Sequence, residues 1–224
     1  MLNEITNIEK IKKYIDLIHK RNQHFNLTGY KNHNEILENG ILNSIEALNF
    51  IWQYSKKESI NLLDIGAGAG FPSVPFLIFS ENNYKKHKIN LTICESLQKR
   101  CLFLEEAKKY LELNFNIINK RAEEIKNREI FDFITARAVT SIKNLYLISH
   151  HLLKIGGYFI ILKGENYKDE LNEFLYFFPK QKDNIVVQPY SSRSYLIIIK
   201  KNEKSSNKWP LKWKNIIQMK QNIN

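Results

Sequence analysis

Apolar residues recur along this chain with two different periods, and the change falls near residue 57. Ile8, Ile11, Ile15 and Ile18 are three and four apart, which predicts an amphipathic helix over about residues 4–22. Phe25-Asn26-Leu27-Thr28-Gly29 interrupts it, and a second helix is expected over about 34–54 with Ile36, Leu37, Ile41, Ile45 and Leu48 on one face. From residue 60 onward short apolar runs alternate with helical stretches. Strands are expected at 60–65, 89–94, about 115–119, 131–136 and 158–162, the last entered through a turn at Gly156-Gly157. Helices are expected to begin near Pro72, after a Ser96 cap, over about 141–153 and over 166–177. Two more strands, about 184–187 and 195–200, read as a closing hairpin that places one antiparallel strand in the sheet. Repeated strand–helix units of this length imply an α/β fold, a mainly parallel seven-stranded sheet with helices on both faces.

The division that follows is an N-terminal helical extension over 1–56, a sheet domain over 57–201 and a tail over 202–224. The two leading helices are expected to pack over the sheet's ligand crevice as a lid, with Asn26 and Thr28 at their polar junction within reach of a substrate. The tail is basic, carrying Lys204, Lys208, Lys212, Lys214 and Lys220 with Trp209 and Trp213 between them. Such a mixture can pair with phosphates and stack on bases.

The sheet is organised around Asn61-Leu-Leu-Asp64-Ile65-Gly66-Ala67-Gly68-Ala69-Gly70-Phe71-Pro72. An apolar strand ends in an acid, and three glycines then alternate with alanines. Residues without a Cβ turn sharply and let a ligand lie against the backbone, and strand–glycine loop–helix is how a doubly wound sheet forms its first crevice. The loop lacks Gly-x-x-x-x-Gly-Lys-Ser/Thr, which argues against a triphosphate cradle, and its spacing is not the Gly-x-Gly-x-x-Gly of dinucleotide sites. Asp64-x-Gly66-x-Gly68-x-Gly70 resembles instead the first motif of S-adenosylmethionine-dependent methyltransferases.

Further candidates sit at the carboxyl ends of the later strands, where open α/β sheets bind their ligands. Glu95 ends the second strand, and a carboxylate there can accept two hydrogen bonds from a ribose diol. Ala122-Glu123 follows the third strand, where an adenine would need an apolar wall and a backbone donor; Glu123 can act by side chain or by backbone. The fourth strand ends in Thr135-Ala136-Arg137-Ala138-Val139. The Asn/Asp-Pro-Pro-Tyr/Phe run typical of exocyclic amine methylation is absent there. Carbon-5 methylation of a pyrimidine needs a cysteine nucleophile, usually after proline, and neither Cys94 nor Cys101 has that setting. Guanine N7 fits what remains, because its lone pair points outward and no proton need leave before attack. Arg137 can hold a cofactor carboxylate, a substrate phosphate or the guanine edge.

Composition narrows the partners. At 224 residues the chain can hold one substantial domain with an appendage. No apolar run reaches the length of a membrane span and the N-terminal stretch is polar and helical, so neither a membrane nor a secretory signal is expected. The two cysteines form no paired metal spacing, consistent with a reducing cytoplasm and no zinc. The net charge of +11 points toward an anionic partner, although a general richness in Lys, Asn and Ile gives the same excess.

Taken as a set, several stretches resemble the bacterial small-subunit ribosomal RNA guanine-N7 methyltransferases, also called glucose-inhibited division protein B. They are Phe25-Asn-Leu-Thr28, Leu63 through Pro72 with Pro75, Glu95-Ser96 with Lys99-Arg100, Arg121-Ala-Glu-Glu124, Phe131-Asp132, Ala136-Arg137-Ala138 and Leu162-Lys163-Gly164, spread over roughly residues 10–200. The resemblance implies S-adenosyl-L-methionine as cofactor, bound by Asp64, Gly66, Gly68, Phe71, Ala122, Glu123 and Arg137, with Glu95 at the ribose. It implies a guanine in the 530 loop of 16S rRNA as substrate. Arg137 and Lys163 would do the catalytic positioning on the RNA side, with Asn26, Lys208 and Lys212 among the substrate contacts and the enzyme working as a cytoplasmic monomer on the small ribosomal subunit. Other substrates for the same cofactor domain, or a non-catalytic role in ribosome assembly, are the rival readings. The chain departs from the family at Asn39-Gly40-Ile41-Leu42-Asn43-Ser44, where a basic–His–x–x–Asp–Ser run is usual, at Ser73 for glycine, and at Trp209-Pro-Leu-Lys212-Trp213, where Tyr-Pro-Arg-Lys followed by glycine is typical.

Overall fold

The computed structural model describes residues 7–84 and 86–219. The chain divides into two compact units, Met1–Lys120 and Arg121–Asn224. Among the described residues there are seven strands.

The first unit contains helices α1 (Ile8–Asn22), α2 (His33–Glu35), α3 (Asn43–Asn49), α4 (Ile51–Tyr54), α5 (Ser73–Asn83) and α6 (Gln98–Tyr110). Its strands β1 (Ser59–Ile65), β2 (Lys88–Cys94) and β3 (Asn116–Ile118) lie in the order β3-β2-β1, all parallel, with Ile65 level with Cys94. Leu62, Leu63 and Ile65 are buried, so β1 is covered on both faces, as parallel strands are. Helix α5 buries nearly every side chain from Ser73 to Ser80, while α1 buries only the stripe Ile11, Tyr14, Ile15, Leu17 and Ile18. The leading helices pack against α5 and α6. Residues 4–6, where the first helix was expected to begin, lie outside the described residues.

Three expectations change in this unit. The helix over about 34–54 is not one regular α-helix, because Ile36–Leu42 is a π-helical segment between α2 and α3. Gly40 sits in that segment, and Phe71 fills the space beside it that a side chain would take. Pro72 stands at the N-cap of α5, one position earlier than the first turn. Ser96 does not cap α6: Leu97 is its N-cap, the Leu97 N–H donates to Glu95 Oε1 at 2.9 Å, and Asn119 Nδ2 takes the Ser96 carbonyl at 3.1 Å. Ser96 stands one position before the cap, and the Glu95 carboxylate beside it fixes the Leu97 backbone that opens the helix.

The second unit contains β4 (Phe131–Arg137), α7 (Ile142–Ser149), β5 (Leu153–Lys163), α8 (Tyr167–Phe177), β6 (Ile185–Ser191), β7 (Ser194–Lys200) and α9 (Trp213–Ile216). Its strands lie in the order β4-β5-β7-β6; β4 and β5 are parallel, and β7 runs antiparallel to both β5 and β6, as the closing hairpin predicts. The helix expected over 141–153 ends earlier, passing through a 3₁₀ turn at His150–Leu152, and β5 begins at Leu153 with Gly156 and Gly157 inside it. The glycines pair rather than turn: Gly156 N–H donates to Lys201 O at 2.7 Å and Lys201 N–H to Gly157 O at 2.9 Å. A Cβ on Gly157 would lie 2.7 Å from the Asp132 carbonyl oxygen, so this position admits no side chain.

The tail, through Met219, is docked onto the second unit. Lys201 is fully buried and its Nζ donates to Leu153 O at 2.7 Å, His150 O and Ser205 Oγ at 3.1 Å, and Glu129 Oε1 at 3.2 Å. The Trp209 ring packs edge-on against Tyr146, His150 and Phe178, and its carbonyl accepts from Arg128. Lys220, expected among the tail's phosphate contacts, lies outside the described residues. No helix among the described residues is long and apolar enough to cross a membrane.

Candidate functional site

The glycine loop leaves the carboxyl end of β1 with Gly66 N–H still donating to Cys94 O on β2 at 2.8 Å. Gly68 and Gly70 have φ of +57° and +92°, backbone conformations that side chains rarely tolerate. The two positions differ in what surrounds them. A Cβ on Gly70 would run into the Tyr14 hydroxyl and come within 2.7 Å of Val74 Cγ2, so Gly70 is a packing requirement. A Cβ on Gly68 would meet only the Leu27 carbonyl, at 3.7 Å. Gly68 therefore offers bare backbone on an open side, which is what a closely approaching ligand needs.

Asp64 and Glu95 sit at the ends of adjacent strands, both buried. Asp64 Oδ2 accepts the Ser73 N–H at 3.2 Å, tying the strand to the start of α5. Burial pushes its pKa up to about 7; the Glu95 charge adds to the rise, and the bond from Ser73 opposes it. Glu95 Oε2 accepts the Gly68 N–H at 3.2 Å, Oε1 accepts Leu97 N–H at 2.9 Å, and Arg100 Nη1 stands 3.8 Å from Oε2. A carboxylate has about four lone-pair sites. The two backbone bonds leave capacity for a diol, so glycine loop and acid together fit a nucleoside cofactor.

The leading helices brace this loop. The Tyr14 hydroxyl donates to the Ala69 carbonyl, and the Tyr14 and Tyr30 rings stand 6.3 and 6.0 Å from Phe71. Asn22 Oδ1 accepts the N–H groups of Leu27 and Thr28 at 3.0 and 2.9 Å, and its Nδ2 donates to Tyr30 O at 2.8 Å. That holds the turn beside Gly68 and leaves Asn26 exposed. Tyr14, Asn22 and Gly40 were missed as contributors. Tyr14 had a signal, lying three residues after Ile11 and four before Ile18 on the apolar stripe.

In the second unit Ala122 is buried in a 3₁₀ turn, Ala122–Glu124. Arg121 Nε donates to Glu123 Oε1 at 2.6 Å, while Glu123 Oε2 is buried without a hydrogen-bond partner. Arg137 ends β4, half-buried. The next residue, Ala138, has φ of +54° and turns the chain toward α7. Lys163, at the end of β5, donates to Thr140 O at 2.8 Å and pairs with Glu170 at 2.7 Å, and Glu170 also accepts the Ile142 N–H at 3.0 Å. Lys163 thus fixes the segment that follows Arg137. Lys208 and Lys212 are exposed.

Residues 7–189 match the family model described as rRNA small subunit methyltransferase G. The chain belongs to that family. The protein named ribosomal RNA small subunit methyltransferase G of Mycoplasmopsis pulmonis is 40% identical over 182 residues, 77% of this chain and 75% of its own length. Its namesake from Streptococcus pneumoniae serotype 19F is 34% identical over 214 residues, 91% of this chain and 87% of its own. A solved Listeria monocytogenes structure, assigned to the class I S-adenosylmethionine-dependent methyltransferases, aligns with a TM-score of 0.62 at 11% identity, covering 92% of this chain and 72% of that one. The fold is accordingly that of the class I methyltransferases, with the mainly parallel α/β sheet expected from the sequence.

Proposed function

We propose that the chain transfers the methyl group of S-adenosyl-L-methionine to N7 of a guanine in the 530 loop of 16S rRNA. The observation that carries the cofactor half is the Glu95 carboxylate seated on the Gly68 N–H with lone pairs to spare. Family membership and the net charge of +11 support an RNA substrate.

When bound, the cofactor supplies a methyl group on a positively charged sulfur. Gly66 and Gly68 let its chain lie against the backbone, and Glu95 accepts the ribose hydroxyls. Ala122 gives the adenine an apolar wall, and Glu123 offers a carboxylate oxygen to a donor. Phe71 closes the loop against water. Asp64 holds the loop to α5 rather than touching the reaction. Guanine N7 brings its own lone pair and loses no proton, so the protein's contribution is orientation and exclusion of water, not acid–base transfer. Arg137 orients the reacting partners, and Lys163 acts by fixing the segment after it. Asn26, Lys208 and Lys212 meet the RNA backbone. We read the enzyme as a monomer working in the cytoplasm on the small ribosomal subunit, with residues 1–56 as helical extension and lid, 57–201 as catalytic domain and 202–224 as basic tail.

Mapping N7-methylguanine in the small-subunit rRNA of cells with and without this chain tests the assignment. Loss of one modified guanine in the 530 loop supports it; an unchanged map refutes it.

A further inference from the structure

Trp213, expected from the sequence to stack on bases, makes a contact within the fold instead. The Arg121 guanidinium lies over the Trp213 ring, 4.9 Å from its centre. The same guanidinium donates through Nε to Glu123 Oε1 at 2.6 Å. The Arg121 backbone is fixed as well, its N–H donating to Glu124 Oε2 at 3.1 Å and its carbonyl accepting the Glu124 N–H at 3.0 Å. Trp213 is itself held on both sides. Upstream are the Lys201, Ser205 and Trp209 anchors; downstream, Ile216 is fully buried and the Met219 carbonyl accepts from Lys143 Nζ at 2.8 Å.

We propose that residues 201–219 form a strap whose Trp213 positions Glu123 through Arg121, making Trp213 a positioning residue for cofactor binding. The Glu123 side chain is only 8% exposed and its Oε2 has no partner. A buried carboxylate oxygen left unpaired is costly, so the site is set for a donor such as an exocyclic amine. Arg121 is 43% exposed and, without the ring beneath it, would sample many rotamers. Glu123 would then follow it toward solvent. A cation over an aromatic face at such a site is worth a factor of roughly three to five in an equilibrium. The inference rests on the proposal that Ala122 and Glu123 face the cofactor.

The test is calorimetric titration of S-adenosyl-L-methionine into the full chain. Trp213→Ala should weaken binding about three- to fivefold, Trp213→Phe should restore most of it, and RNA affinity should stay the same in both. Steady-state rates should show a raised KM for the cofactor at unchanged kcat. Should Trp213→Ala fail to fold, Arg121→Gln, which leaves the tail intact, must weaken the cofactor comparably. Equal cofactor affinity in wild type and a folded Trp213→Ala, or a loss confined to RNA, would overturn the strap. A wild-type chain that binds no cofactor would instead refute the proposed function. The strap would then be judged by the Arg121 Nε–H proton resonance, which the ring should shift upfield in wild type and Trp213→Phe but not in Trp213→Ala; no difference would overturn it.

Discussion

Glu95 and Gly68 are 27 residues apart in sequence, and the Glu95 carboxylate receives the Gly68 backbone N–H at 3.2 Å. The acid at the end of β2 therefore shapes the loop at the end of β1. Its other oxygen holds the entrance to α6. Loop geometry and the proposed ribose contact meet in one side chain.

Replacing Glu95 by Gln removes the charged acceptor while keeping its shape. Charge-assisted bonds of this kind are worth about 1.5–3 kcal/mol, so cofactor affinity should fall roughly ten- to a hundredfold. Calorimetry gives the affinity, and an unchanged circular dichroism spectrum confirms the fold.

Asp64 should give the protein an inverted acid response. Its carboxyl pKa is raised from 3.8 to about 7 in the folded chain, chiefly by burial. Between those values the folded state keeps the proton and the unfolded state loses it, so Asp64 lowers stability as pH rises through that window and contributes nothing more above it. The shift corresponds to a loss of order 4 kcal/mol. Asp64→Asn should match wild type near pH 4 and become the more stable of the two by pH 7. Urea unfolding midpoints across that range measure the gap; a gap independent of pH contradicts the assignment.

Much of this site could be read from residue order alone. The glycine spacing, the acids ending β1 and β2, and the strand–helix rhythm are local patterns, and each leads to an element the structure contains. What escaped depends on contacts distant in sequence. Ser96 is a good cap in isolation, but Leu97 takes the N-cap position, with Glu95 holding the Leu97 N–H and Asn119 the Ser96 carbonyl. Gly40 in the π-helical segment packs against Phe71, 31 positions away in a different element. The tail reads as a basic arm because its lysines are numerous, whereas its tryptophans are held by Tyr146, His150 and Arg121.

Gly40 is a direct probe of that packing. A Cβ there would lie 2.7 Å from Phe71 Cζ. Overpacking costs about 1–3 kcal/mol, and alanine regains up to about 1 kcal/mol of helix propensity over glycine. Gly40→Ala should therefore be destabilised by roughly 1 kcal/mol, with weaker cofactor binding as the Phe71 ring is displaced. A variant more stable than wild type in urea would show that the ring moves without cost.

Lys201→Met should be the most damaging single change in the second unit. It strands Glu129 and the acceptors of His150, Leu153 and Ser205 around a buried apolar chain. Leaving a buried acceptor unpaired costs about 1–3 kcal/mol, while Glu129, a third exposed, is partly solvated once its partner is gone. Chemical denaturation followed by Trp209 fluorescence in a Trp52→Phe, Trp213→Phe background reads this loss; a change under about 1 kcal/mol, the level of an exposed ion pair, would contradict it.

The central claim is that this chain methylates a purine nitrogen in small-subunit rRNA. Its most direct measurement is incubation of the purified protein with methyl-labelled S-adenosyl-L-methionine and unmethylated small-subunit rRNA, followed by digestion to nucleosides and chromatography. The account predicts label in 7-methylguanosine, mapping to one guanine of the 530 loop. Label in any other nucleoside, or none with protein that is folded and binds the cofactor, would contradict it.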